Sequence, residues 1–234
     1  MEVTLRVFRY SERIEPHYDV YPLSFSGGKT VLEGLFDVLE KQDGSLAFRY
    51  SCRSAVCGSC AMFINGSFRL ACQTQIKDLK SSVISVNPLP HMKIIKDLVV
   101  DMKPFFKKLD MILPYLIPKE NPPEKERLQL PHNRKRVDNY IDCILCGACY
   151  SSCTVAATDE YYLGPAALTK TWRFMADSRD GGTAQRLAIV ADEHGALRCH
   201  TLFNCVEACP KQINCTQAIQ NIKQKSVARI LGFI

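Results

Sequence analysis

Apolar residues in the first part of the chain recur at two spacings. Val3, Leu5 and Val7 alternate with Thr4 and Arg6, the period of a strand with one buried face. Ser26-Gly27-Gly28 marks a turn. Thr30 followed three residues later by Glu33 is a capping box. It predicts a helix whose apolar stripe is Val31, Leu32, Leu35, Phe36, Val38 and Leu39. Ala61–Ile64 and Phe68–Ala71 flank Asn65-Gly66, the signature of a hairpin with a tight primed turn. Val83–Val86 reads as a further strand. One helix on a small mixed sheet would bury the stripe.

After Pro88-Leu89-Pro90 the pattern changes. Ile94, Ile95, Leu98, Val99 and Met102 recur at helical spacing. Pro118–Arg136 is rich in proline and charge and reads as a surface connector. From Ile141 onward helices dominate. Gly164-Pro165 opens one that carries Ala167, Leu168, Thr171, Trp172 and Met175 and stops near Asp180-Gly181-Gly182. The fold class expected is α+β, with a sheet-based N-terminal part and a helical C-terminal part.

Composition narrows the function. The chain has 234 residues, 47% hydrophobic and 23% charged, enough to build real cores. Its formal charge of +6 is scattered rather than gathered into a patch, which argues against nucleic acid as a partner. No apolar run approaches the roughly 20 residues that span a bilayer. The best are Met111–Ile117, interrupted by Pro114, and the tail Ala228–Ile234. Any membrane link is therefore expected to pass through a partner. Glu2 and Arg6 stand where a secretory signal would be apolar, so a reducing compartment is expected. There the 12 cysteines read as metal ligands rather than disulfides.

The cysteines fall into three blocks. The first is Cys52-x4-Cys57-x2-Cys60-x11-Cys72, whose leading triplet has the plant-type [2Fe–2S] spacing. Three thiolates must curl around a small rhomb, and Gly58 gives the loop the freedom to turn. Successive N–H groups in such a loop can offset the cluster's negative charge. A zinc site would show two close cysteine pairs, and only one is present here.

The second block is Cys143-x2-Cys146-x2-Cys149-x3-Cys153, and the third is Cys199-x5-Cys205-x3-Cys209-Pro210. Together they resemble a bacterial two-cluster ferredoxin, in which the fourth cysteine of each run ligates the other cluster. That likeness implies Cys143, Cys146, Cys149 and Cys209 around a [4Fe–4S] cluster, and Cys153, Cys199 and Cys205 around a second. The second set lacks a ligand at position 202, which is Leu202. A cube held by three thiolates readily lacks one corner iron, so [3Fe–4S] is expected, with Leu202 keeping water away. Eleven cysteines are used; Cys215 is left over and reads as a small buried apolar residue.

These blocks, in this order, resemble the iron–sulfur subunits of succinate dehydrogenases and fumarate reductases. The words that carry the likeness run through most of the chain. They are Cys52–Cys60, Asn65-Gly66, Leu70-Ala71-Cys72, Pro88–Pro90, Ile94–Met102, Cys143–Cys153, Gly164–Leu168, Arg173-Phe174, Asp177–Asp180 and Cys205–Lys211. The resemblance implies a plant-ferredoxin (β-grasp) domain over residues 1–92 and an all-helical ferredoxin domain over 93–234. It implies a partner flavoprotein with covalent FAD that interconverts succinate and fumarate. It also implies a membrane anchor subunit, often with haem b, and a quinone site. The chain would then sit peripherally on the cytoplasmic face of the inner membrane and have no catalytic pocket of its own.

Some positions depart from that pattern. Thr154 and Cys215 stand where proline is usual. Ala157 and Thr158 replace a tryptophan pair found in subunits that reduce ubiquinone, which tilts the reading toward menaquinol and fumarate reduction. His200 matches the family's histidine near the quinone. Trp172, Tyr161 and Tyr162 read as core. The competing readings are a carrier subunit for another reductase and a free ferredoxin-like carrier. The first lacks the paired Cys-Cys-Gly motifs such subunits carry, and the second is opposed by length and the helical second part.

Overall fold

Alternation in the first strand is the seed of the N-terminal sheet. The computed structural model describes residues 2–121 and 123–232. It runs β1 (Glu2–Ser11), β2 (Ile14–Ser24), α1 (Val31–Lys41), β3 (Ala61–Ile64), β4 (Ser67–Leu70), β5 (Val83–Asn87), β6 (Ile94–Lys96) and β7 (Val99–Val100). There follow α2 (Lys103–Met111), α3 (Pro131–Lys135), α4 (Asp138–Ile141), α5 (Ala148–Ser151) and α6 (Thr154–Thr158). The last elements are α7 (Gly164–Met175), α8 (Thr183–Val190), α9 (Asn204–Glu207) and α10 (Cys215–Ile230). The chain divides into two compact units. One holds the residues up to Met102 together with Ile144–Ser152; the other holds Lys103–Cys143 and the chain from Cys153 on.

In the first unit five strands form a mixed sheet in the order β2-β1-β5-β3-β4. β1 pairs antiparallel with β2 and parallel with β5. Val3, Leu5 and Val7 point into the core, and α1 lays Val31, Leu32, Leu35 and Val38 against them. The capping box is formed: Glu33 N donates to Thr30 Oγ1 at 3.2 Å, and Thr30 N donates to Glu33 at 2.7 Å. Such a cap contributes about 1 kcal/mol. The hairpin turns at Asn65 and Gly66, both with positive φ, as a primed turn requires.

Two elements differ from the sequence pattern. β2 follows β1 closely, yet most of its residues are exposed and only Tyr21 and Leu23 reach the core. An edge strand exposed on both faces carries little alternation to read. The stretch Ile94–Met102, with helical spacing, forms the ribbon β6–β7 instead of a helix. β-Branched Ile94, Ile95, Val99 and Val100 favour strand. Asp97 turns the ribbon with φ of 46°. Its buried carboxylate accepts from Tyr10 N, Ala47 N and Arg9 Nε at 3.1, 2.9 and 3.1 Å. Arg9 also reaches Asp43 and Tyr21, so one buried cation ties β1, β2 and the loop after α1 together.

The second unit is helical, built on α7 and α10. Ala167, Leu168, Thr171, Trp172 and Met175 are buried on α7. The helix ends at Met175, before the Asp177–Asp180 segment, whose carboxylates are used as joints. Arg186, fully buried on α8, donates to Asp180 Oδ1 at 2.6 Å and to the carbonyls of Leu113 and Tyr115 at 3.0 and 2.6 Å. That ion pair holds the segment Leu113–Tyr115, just ahead of the proline-rich connector, in which α3 is the described helix. Asp177 is nearly buried: desolvation pushes its carboxyl up, but Arg179 more than offsets this and holds it below the ordinary range. Among the described residues no helix is long and apolar enough to cross a membrane. Phe233 and Ile234 of the apolar tail lie outside the described residues.

Candidate iron–sulfur sites

The loop between α1 and β3 brings Cys52, Cys57 and Cys60 toward Cys72, just past β4. Arg53, Ala55 and Gly58 have positive φ, so the chain coils and turns its N–H groups toward the sulfurs. For a non-glycine residue that conformation costs about 1 kcal/mol. Cys52 Sγ faces the N–H of Ser54, Val56 and Cys57 at 3.4, 3.4 and 3.3 Å. Cys72 Sγ faces Ala55 N at 3.3 Å, Cys57 Sγ faces Cys52 N at 3.5 Å, and Cys60 Sγ faces Cys72 N at 3.5 Å. All four sulfurs therefore have a backbone donor, the environment an anionic cluster needs. Four thiols in such a cradle fit a [2Fe–2S] group. Before ligation they differ: the Ser59 hydroxyl and the Cys52 backbone pull the Cys57 thiol down to about 6, while burial pushes Cys60 up to about 12.

Gly58 has a second use. A Cβ there would lie 2.7 Å from the Ile144 carbonyl oxygen and 2.9 Å from Cys146 Cα. The first cysteine loop thus rests directly on the backbone of the second motif, at a distance only glycine permits. Ile144 and Cys146 pack on the core of the first unit, and Ser151 of α5 donates to the carbonyl of Pro90.

In the second unit Cys153, Cys199 and Cys205 line one pocket, with about 340 Å³ of empty space that includes open solvent. Val155, Tyr162, Pro165, Leu202 and Ile219 give it largely apolar walls. Three thiols around such a pocket fit an iron–sulfur cube of three ligands. Cys199 Sγ accepts from Thr201 N at 3.4 Å, and Cys209 Sγ, outside this pocket's lining, accepts from Ile213 N at 3.3 Å. Burial raises the Cys153 thiol. The Cys205 thiol is driven far up by its hydrogen bond with Cys215 and by burial. Iron would have to displace these protons on binding. Among the described residues no three His, Cys, Asp or Glu side chains converge on a point suited to a single metal ion.

Several expected residues sit differently from the sequence reading. Leu202 does line the pocket, but 53% of it is exposed, so within this chain it is an incomplete shield against water. His200 is exposed at the pocket's rim. Trp172 and Tyr162 are buried, whereas Tyr161 is 67% exposed and stacks on His194 rather than joining the core. Tyr162 is more than core. It walls the pocket, and burial together with Cys199, Cys153 and Cys205 pushes its hydroxyl above the usual range.

Lys170 Nζ donates to the Cys143 carbonyl at 3.3 Å, and Lys223 Nζ to that of Cys199 at 2.6 Å. No local pattern marked these two lysines, because their partners are backbone atoms distant in sequence. Cys215 is buried at the start of α10, as a small apolar residue would be, but its thiol lies within hydrogen-bonding reach of Cys205.

Residues 4–107 match the model of a 2Fe-2S iron-sulfur cluster binding domain, and residues 139–213 that of a 4Fe-4S dicluster domain. The chain is 43% identical over 228 residues to the mitochondrial succinate dehydrogenase [ubiquinone] iron-sulfur subunit 1 of Oryza sativa subsp. japonica, covering 94% of this chain and 81% of that protein. It is 40% identical over 233 residues to the corresponding Dictyostelium discoideum subunit, with the same coverage. Among solved structures it is similar to a chain of the Mycobacterium smegmatis Sdh1 complex in the apo form. There the TM-score is 0.88 at 26% identity, over 97% of this chain and 96% of that one.

Proposed function

The chain belongs to the iron–sulfur subunit family of succinate dehydrogenases and fumarate reductases, and on that premise we propose that eleven of its cysteines hold a three-cluster electron wire. Cys52, Cys57, Cys60 and Cys72 hold [2Fe–2S]; Cys143, Cys146, Cys149 and Cys209 hold [4Fe–4S]; Cys153, Cys199 and Cys205 hold [3Fe–4S]. When bound, these groups supply one-electron redox chemistry. The chain's residues hold them, feed hydrogen bonds to their sulfurs and exclude water. The observation that carries the reading is the packing of Gly58 on the Ile144–Cys146 backbone, which brings the first ligand loop against the second.

Electrons pass between a flavoprotein partner carrying FAD and a quinone held with a membrane anchor subunit, which in some members also carries haem b. The chain works peripherally on the inner face of the membrane. Ala157 and Thr158, where ubiquinone-linked subunits carry a tryptophan pair, favour menaquinol as donor and fumarate as the terminal acceptor. The test uses the purified complex. Succinate added anaerobically should develop the reduced [2Fe–2S] EPR signal and bleach that of oxidised [3Fe–4S]. Failure of both signals to respond while flavin is reduced would reject the wire. A faster fumarate/menaquinol than succinate/ubiquinone turnover supports the direction, and the reverse ratio rejects it.

A further inference from the structure

Cys205 differs from the other cysteines of its pocket in the donors around it. Cys199 meets a backbone N–H, that of Thr201. Cys205 is buried, and its Sγ lies 3.7 Å from the hydroxyl of Thr216, itself only 4% exposed on the first turn of α10. Next to it on that turn is the thiol of Cys215, 3% exposed. Asn214 caps the helix by accepting from Gln217 N at 2.9 Å, so this turn is held in place by its own cap. In the metal-free chain either partner of the Cys205–Thr216 contact could donate. Ligation removes the Cys205 proton, and its sulfur is then acceptor only. The hydroxyl must then be the donor.

We propose that Thr216 is a positioning residue that raises the reduction potential of the cluster ligated by Cys205, by donating its hydroxyl hydrogen bond to the ligand sulfur. The bond withdraws charge from the sulfur, and reduction adds negative charge to the cluster, so it stabilises the reduced form more than the oxidised form. Burial strengthens the effect, because Cys205, only 8% exposed, meets little competing water. This inference rests on the assignment of Cys205 to the third cluster.

The test is an EPR-monitored redox titration of all three clusters in the intact complex. Thr216→Val removes the donor at nearly constant volume, and the third cluster's potential should fall while the other two stay fixed. Thr216→Ser keeps the hydroxyl and should titrate like wild type. Thr216→Ala provides the donor-free reading if the valine variant loads iron poorly. Wild-type potential in the donor-free variants overturns the proposal. So does an equal shift in Thr216→Ser, since packing would then be the cause. Absence of any [3Fe–4S] signal from wild type would instead reject the ligand assignment beneath it.

Discussion

The two cysteine sites that lie wholly within one unit solve the same problem differently. At Cys52–Cys72 the donors are backbone N–H groups of a coiled, largely exposed loop, and each of the four sulfurs has at least one. At Cys153–Cys199–Cys205 the walls are largely apolar, and side-chain groups on Tyr162 and Thr216 join a backbone N–H at Cys199 around the sulfurs. A backbone cradle is fixed by loop geometry and changes little with sequence. A side-chain pocket can be retuned one residue at a time.

The largest effects should come from the buried ion pairs that brace each site's unit. Arg9→Met leaves Asp97 buried without its cation, and Arg186→Met does the same to Asp180. Each should cost about 3–5 kcal/mol, read as a lower unfolding midpoint in chemical denaturation of the chain. A change under 1 kcal/mol would remove the bracing role. In the first unit this support is also acid-sensitive. Hydrogen bonds from Ser45 and Arg9 hold the Asp43 carboxyl well below its ordinary value. Its contribution is thus complete above the unfolded carboxylate range near 4 and is lost as pH falls through the lower folded value. Asp43→Asn should flatten that acid limb.

Gly58→Ala should come next. It places a Cβ against Ile144 and Cys146 at a φ of +73°. The [2Fe–2S] EPR signal should weaken or vanish while that of [3Fe–4S] persists. Loss of both together would mean that the two sites are not independent in assembly. A smaller effect separates the thiols before iron binds. In the metal-free chain, alkylation of Cys57 should rise with pH to half its maximum near 6, whereas Cys60 should stay inert until near 12. Equal rates at neutral pH, read by peptide mass spectrometry, would contradict the asymmetry of the cradle.

How far the sequence reached follows from how local each signal was. The capping box, the Asn65-Gly66 hairpin and the strand alternation of β1 are local, and each formed as expected. The Ile94–Met102 stretch misled because its period fitted a helix, while tertiary hydrogen bonds to Asp97 made it a ribbon. β2 was missed because an exposed edge carries almost no pattern. Cysteine spacing pointed to the ligand blocks, but Thr216, Lys170 and Lys223 act across long sequence gaps and left no mark.

The most direct measurement is the iron and acid-labile sulfide content of the anaerobically purified chain. Three clusters of the proposed kinds predict roughly nine iron atoms per polypeptide. A colourless preparation, or zinc in place of iron, would contradict the account, and a reproducible value near ten would mean that the third site holds a complete cube despite Leu202.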